Sequence, residues 1–270
     1  MFLTLISAVF LIISFPRFGA WPFAWAAFVP LFYLAFRLER FKQAFFYFYL
    51  AGFLFFFASL EWLRHVTYFG WIFVAMFLSV YFGFFGMAVH YFWSRRRFLL
   101  SLFALPSAWA VLEWMRTEIP VWTFGWNLLA YSQSPNLSVA QWASVAGAYG
   151  VSWLVMFGNL VIFFFIRLLF SKEKLKMIVW TFVISLGFIL SFYFIGRSIY
   201  ALPEKPHSTI RAFLVQGNIP QSEKWEPARK TSILETYEKL SQFVTFEEKP
   251  DLIVWPEAAF PGYFNLDKEG

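Results

Sequence analysis

A carboxylate stands directly after a short apolar run: residues Asp251 to Trp255 read DLIVW and are followed by Pro256 and Glu257. An apolar run of that length closed by a turn signal predicts a buried strand. Glu257 is then mounted just past a strand's C-terminal end, the usual place for function in α/β layers. A carboxylate there is either a general base or simply an exposed strand-end charge. Glu61 and His65 are four apart and face one another on a helix, but two groups without a third do not make a metal site. Glu113 and Arg116 are three apart near the end of an apolar run. They read either as a pair snorkelling at lipid headgroups or as a grip for a headgroup phosphate. Trp225 reads as an interfacial anchor or a core residue, and His90 and His207 as structural. Cysteine is absent from the 270 residues, so a thiol nucleophile, thiolate metal sites, disulfides and S-acylation are excluded within them.

The elements that must position these residues are of two kinds. Hydrophobic residues make up 60% of the chain, aromatics 24% and charged residues only 14%, with 40 Phe. A soluble domain is nearer half apolar and a quarter charged, so this is a membrane protein. Seven stretches approach the roughly 20 apolar residues that cross a bilayer: Phe2 to Phe15, Trp21 to Phe36, Ala44 to Leu60, Val66 to Trp93, Phe98 to Met115, Tyr149 to Ile166 and Met177 to Ile195. The first two are short enough to be a re-entrant pair. The first lacks the basic start and cleavage site of a signal peptide.

Charge divides the chain near Pro203. Residues 1–202 hold 14 Lys/Arg against 5 Asp/Glu, and residues 203–270 hold 8 against 11. The basic balance belongs to the membrane part and gives no reason to expect nucleic acid. Arg37, Arg40, Lys42, Arg95, Arg96, Arg97, Arg167, Lys172, Lys174 and Lys176 fall on alternate connections, against Arg17, Arg64, Arg116 and Arg197 on the others. Cytoplasmic loops retain positive charge, so the N-terminus is expected inside and everything after Arg197 outside. Residues 117–148 differ from the spans. They mix Pro120, Gly125, Pro135 and Gly147 with Trp122, Trp126, Trp142 and polar Asn127, Gln133, Asn136 and Gln141, and Trp favours the headgroup level. An interfacial loop on the outer side is expected there.

After a linker at Pro203 to Pro206, Ile210 to Gln216 (IRAFLVQ) predicts a strand closed by Gly217-Asn218-Ile219-Pro220. From Pro227 to Phe246 the apolar residues Ile233, Leu234, Tyr237, Leu240, Phe243 and Val244 recur at helical spacing. With the strand at 251–255, this is the opening of an α/β layer. It is too small to complete a core of its own, so residues 203–270 read as the start of a domain.

Three segments taken together carry a resemblance: VQGNIPQSEKW (Val215 to Trp225), IVWPEAAFPG (Ile253 to Gly262), and FGWNLLAYSQ (Phe124 to Gln133) before the last two spans. With the multi-span bundle, the chain resembles the N-terminal part of the apolipoprotein N-acyltransferase family, within the nitrilase superfamily. Gly125 and Ala130 stand where family members often have Pro and Gly. The resemblance implies a multi-pass protein of the bacterial inner membrane. Its polytopic α-helical bundle (1–202) would lead into the incomplete start of an αββα nitrilase-like domain (203–270) on the periplasmic face. It also implies transfer of an acyl chain from a phospholipid to the α-amine of the lipidated N-terminal cysteine of an apolipoprotein. No cofactor is implied. The reaction passes through a thioester on a Glu-Lys-Cys triad in which Glu257 matches the glutamate. In family members the Lys and Cys lie further downstream, so the resemblance implies that they come from a continuation of the chain or from a partner chain. Trp225 matches a tryptophan that places substrate, and Phe260 to Phe264 (FPGYF) would suit a loop dipping into the bilayer.

Other functions compete with this one. An inactive remnant that binds lipid or lipoprotein would keep the bundle without the nucleophile. A membrane-tethered amidase of the same superfamily would share Glu257 but would not need the matched bundle or Trp225. A transporter would carry mid-span charge and inverted repeats, and mid-span charge is nearly absent.

Overall fold

The computed structural model describes residues 1–120, 123–170, 175–200, 209–220, 223–257 and 259–260. Trp122, the linker at 203–206, His207 and loop residues 261–264 lie outside that set. The chain forms two compact units, Met1–Leu202 and Pro203–Gly270.

In the first unit every apolar run carries helix: α1 (Phe2–Ser14), α2 (Val29–Ala35), α3 (Phe41–Ser59), α4 (Tyr68–Ser94), α5 (Phe98–Glu118), the short α6 (Leu137–Ala140), α7 (Ala143–Leu169) and α8 (Leu175–Tyr200). Among the described residues five stretches are long and apolar enough to cross a bilayer: α3, α4, α5, α7 and the Phe182–Tyr200 stretch of α8. At 1.5 Å per residue, the 27 residues of α4 or α7 reach about 40 Å, beyond the ~30 Å hydrocarbon core. α1, with 13 residues, extends only about 20 Å. The second run is broken into a 3₁₀ helix, Trp21–Trp25, and α2, each with a proline at its start. Pro22 and Pro30 lack the N–H that would continue a helix through them.

Packing is aromatic. Trp109 on α5 receives the edges of Phe28, Phe82 and Phe85 at centroid distances of 4.9, 4.9 and 5.0 Å, and Trp93 stacks on Phe163 at 4.8 Å. Such pairs add to area burial through the ring quadrupoles. α3 and α4 meet through small residues. A Cβ on Gly86 would lie 2.7 Å from the carbonyl oxygen of Ala44, a backbone atom that cannot move aside, so the approach requires glycine. Large apolar side chains such as Phe46, Phe73, Phe84 and Phe103 point outward, more than half exposed, as a lipid-solvated surface allows.

The connections sort to two ends of the bundle. At one end Arg17 pairs with Glu61 at 3.2 Å, and Asn127 Nδ2 donates to Ser59 Oγ at 2.7 Å. At the other the Arg167 guanidinium lies over the rings of Phe36 and Phe98.

The second unit contains β1 (Ala212–Leu214), a 3₁₀ turn at Pro227–Arg229, α9 (Lys230–Glu248) and β2 (Leu252–Val254). β1 and β2 pair in parallel, Phe213 opposite Ile253, with α9 as the crossover that parallel strands require. Val215, Ile233, Tyr237 and Ala259 form a small core. The strands are shorter than the apolar runs that predicted them.

Candidate functional site

In the second unit Glu257 is mounted from both sides. Upstream, the ladder continues past β2 as Val215 N–H donates to the Val254 carbonyl at 2.9 Å. Downstream, Ala259 N–H closes a turn onto the Pro256 carbonyl at 3.1 Å, and Ala259 is buried in the small core. The turn is thus held by the strand and by one buried methyl.

The turn carrying Trp225 reaches the same place. Glu223 and Lys224 donate their N–H groups to the Pro220 carbonyl at 3.0 and 3.1 Å. Lys224 Nζ then donates to the Glu257 backbone carbonyl at 3.4 Å. The approach starts at Gly217, where a Cβ would sit 2.7 Å from Tyr237 Cζ, and at Asn218, whose φ of +50° is left-handed backbone that Asn tolerates. Lys224, the neighbour of Trp225, thus ties the 223–225 turn to the Glu257 backbone. The Glu257 and Trp225 side chains are both exposed, Trp225 by 63%. The described residues supply the mount for the carboxylate; they do not enclose it in a dry pocket.

In the membrane unit the Glu113–Arg116 pair differs from the snorkelling expectation. The two residues are 2% and 3% exposed, because the segment after α5 folds back over them. Arg116 Nη1 donates to the carbonyls of Phe124 and Trp126 at 2.9 Å each, and its Nη2 donates to that of Asn127 at 3.0 Å. Glu113 Oε1 accepts the N–H of Leu129 at 2.7 Å. Three of the five N–H donors of Arg116 are thus spent on backbone carbonyls rather than offered to a headgroup. Arg116 holds in place a loop whose backbone would otherwise be unsatisfied in an apolar surround. Asn127, at φ +57°, makes the turn between these contacts.

Side chains outside the pair complete this brace, and of these only Gln133 lies in a segment the sequence singled out. Ser152 Oγ on α7 accepts from Ala130 N–H at 2.9 Å, and Gln133 Oε1 accepts from Trp25 Nε1 at 3.0 Å. Asn159, buried within α7, accepts the Phe28 N–H through Oδ1 at 2.8 Å and donates through Nδ2 to the Ala24 carbonyl at 2.8 Å. Those are the backbone groups freed where the second apolar run breaks. Glu61 takes both Arg17 and Arg64, at 3.2 and 2.7 Å, which makes it an ion-pair partner rather than half of a metal site.

The loop at 123–133, braced by α5 and α7, lies within residues 7–161, which match the model of the apolipoprotein N-acyltransferase N-terminal domain. The chain belongs to the apolipoprotein N-acyltransferase family. Its similarity to curated relatives extends into the second unit. It is 32% identical over 271 residues to the apolipoprotein N-acyltransferase of Geobacter metallireducens, covering 97% of this chain and 51% of that protein. It is 31% identical to that of Chlorobaculum tepidum, covering 98% and 50%. It is 33% identical to that of Coxiella burnetii, covering 97% and 54%. The chain thus spans about half the length of the curated apolipoprotein N-acyltransferases it matches. The stretch of this family member that matches the domain model contains the whole Glu113–Arg116 brace and Asn159, and ends within α7.

Proposed function

We propose that this protein takes an acyl chain from a membrane phospholipid and passes it to the α-amine of the diacylglyceryl-cysteine of apolipoproteins. The supporting observation is the family membership, together with a glutamate mounted past β2 beside the Trp225 turn. The bundle would cross the bacterial inner membrane with its ten-residue positive side inside, and the second unit would open a nitrilase-like αββα domain on the outer face.

Glu257 is the general base in this reading. It takes the proton of a cysteine thiol as the sulfur attacks the phospholipid ester, and a lysine ammonium stabilises the oxyanion. The departing lysophospholipid alkoxide takes that proton, leaving a thioester. The apolipoprotein amine then attacks the thioester carbonyl, Glu257 accepts its proton, and the thiol is released with it. The cysteine, absent from the 270 residues, is supplied by a continuation of the chain or by a partner chain, and in this reading the lysine comes with it. Trp225 covers the pocket and places substrate.

The test uses the full-length protein in phospholipid vesicles carrying a tagged sn-1 chain, with mass detection of the acyl-enzyme. Glu257→Gln should lower thioester formation by about 10²- to 10⁴-fold, the usual worth of a general base, with membrane insertion unchanged. A Glu257→Gln protein that acylates at the normal rate would remove this residue from the base role.

A further inference from the structure

The end of the bundle that carries Arg167 concentrates charge of one sign. Arg37 and Arg40 follow α2, and Arg95, Arg96 and Arg97 form the turn between α4 and α5. All five are exposed, and none pairs with a carboxylate among the described residues. Phe36 brings the two connections to one place, since its ring meets those of Trp93 and Phe98, which bracket the turn, each at 6.4 Å between centroids. The turn is closed by Arg96 N–H donating to the Trp93 carbonyl and Arg97 N–H donating to that of Phe92, at 3.0 Å each. Arg96 takes the left-handed position of this motif, φ +54°, which usually falls to glycine. An arginine there trades backbone ease for a third consecutive charge.

Two of these guanidinium groups stand on rings. Arg37 Cζ lies 4.5 Å from the Tyr33 ring centroid and its Nη2 donates to the Tyr33 hydroxyl, and Arg95 Cζ lies 5.3 Å from the Tyr91 centroid. Stacking uses the flat face of a guanidinium and leaves its in-plane N–H groups for an oxyanion. Arg116 is the reverse case, with three in-plane donors holding backbone carbonyls. We propose that this end of the bundle is a binding surface for anionic phospholipid headgroups, with the phosphodiester received by Arg37 and the arginines of the 95–97 turn. The acyl chains would lie along Phe41, Leu99 and Leu100, which follow these arginines in the chain and are more than half exposed. A phospholipid presents charge and hydrocarbon in one molecule, whereas inorganic phosphate supplies the charge alone. A zwitterionic headgroup brings its own ammonium, which clustered arginines repel, so the surface selects net negative charge. Fixing topology is a separate role that lysine and arginine fill alike, and it does not call for guanidinium groups set against rings.

The test titrates the full-length protein in detergent with phosphatidylglycerol or phosphatidylethanolamine of matched chains and counts bound lipid by native mass spectrometry. Phosphatidylglycerol should bind about tenfold tighter. Arg37→Gln combined with Arg97→Gln should weaken it by about fivefold for each arginine replaced and leave phosphatidylethanolamine unchanged. Removing charge also weakens the topology signal, so Arg37→Lys combined with Arg97→Lys is the second variant. It keeps the charge that sets topology but not the planar fork, and it should lose at least about threefold in phosphatidylglycerol affinity, as for one hydrogen bond lost, with insertion intact. Arg17→Gln, at the other end of the bundle, should change nothing. Equal binding of the two lipids, parental affinity in the lysine variant, or the same loss in Arg17→Gln would each overturn the proposal. Displacement of phosphatidylglycerol by inorganic phosphate at constant ionic strength would also overturn it, by making this a site for free anions.

Discussion

Asn159 Oδ1 accepts the backbone N–H of Phe28 at 2.8 Å across 131 residues of sequence, while its amide nitrogen donates to Ala24 and Val155. One side chain in α7 thereby satisfies both backbone groups exposed by the break between the Trp21–Trp25 turn and α2. Asn159→Leu leaves an N–H and a carbonyl buried without partners, at about 1–3 kcal/mol each. The expected loss is of order 2 kcal/mol, at the low end because unfolded membrane segments also find partners. Thermal unfolding in detergent reads it. A variant as stable as the parent would show that the break is satisfied in another way.

The Arg116 fork should be worth more than its charge. Arg116→Lys keeps the cation but cannot span the Phe124, Trp126 and Asn127 carbonyls together. Arg116→Met also leaves Glu113 buried without its compensating charge, which typically costs about 3–5 kcal/mol. Limited proteolysis at residues 123–128 should accelerate in both variants, more in Arg116→Met. Adding Glu113→Leu to Arg116→Met should recover part of the loss, and strict additivity of the two would show that the residues do not act on one another.

How much of this was legible in the sequence depends on how local the cause is. Apolar run length gave every helix of the bundle except the short α6 (Leu137–Ala140), which falls in the stretch read as a loop, and Pro22 and Pro30 mark where the second run breaks. The DLIVW and IRAFLVQ runs located β2 and β1 but overstated their length, because only the residues in register, 212–214 with 252–254, pair as strand. The Glu113–Arg116 spacing fits a surface pair as well as a buried one. What decides between them is the chain folding back at 124–129, and no pattern within α5 records that. Asn159 was illegible for a related reason: a single amide inside an apolar run does not say which backbone break it serves. The sixth run was read from Tyr149, whereas helix begins at Ala143 and bends at Gly147, where loop composition concealed an early turn of helix.

That bend makes its own prediction. Gly147 has φ +66° and ψ 179°, a region essentially reserved for glycine, and a Cβ there would meet nothing within 4 Å. Any loss in Gly147→Ala is therefore backbone strain, about 1–3 kcal/mol. Gly187→Ala in α8 also meets nothing within 4 Å and has no positive φ, so it should be neutral or slightly stabilising. The pair of melting temperatures checks this, and equal values would mean that α7 straightens at Gly147 without cost.

Trp225 separates placement of substrate from support of the fold. Its side chain is 63% exposed, and exposed substitutions away from special features usually stay within about 0.5 kcal/mol, so Trp225→Ala should leave the unfolding midpoint in place. If the ring covers the pocket beside Glu257, the same variant should slow acyl transfer by the full-length protein at least about tenfold, the equivalent of ~1.4 kcal/mol. Trp225→Phe should recover part of the rate, because an aromatic face remains. A drop in kcat with KM unchanged would mean that the ring acts only in the transition state, and a rise in KM alone would mean that it holds substrate equally in both states. Normal rates in Trp225→Ala, with the midpoint unmoved, would leave the residue as an exposed ring on the 223–225 turn and remove it from the site.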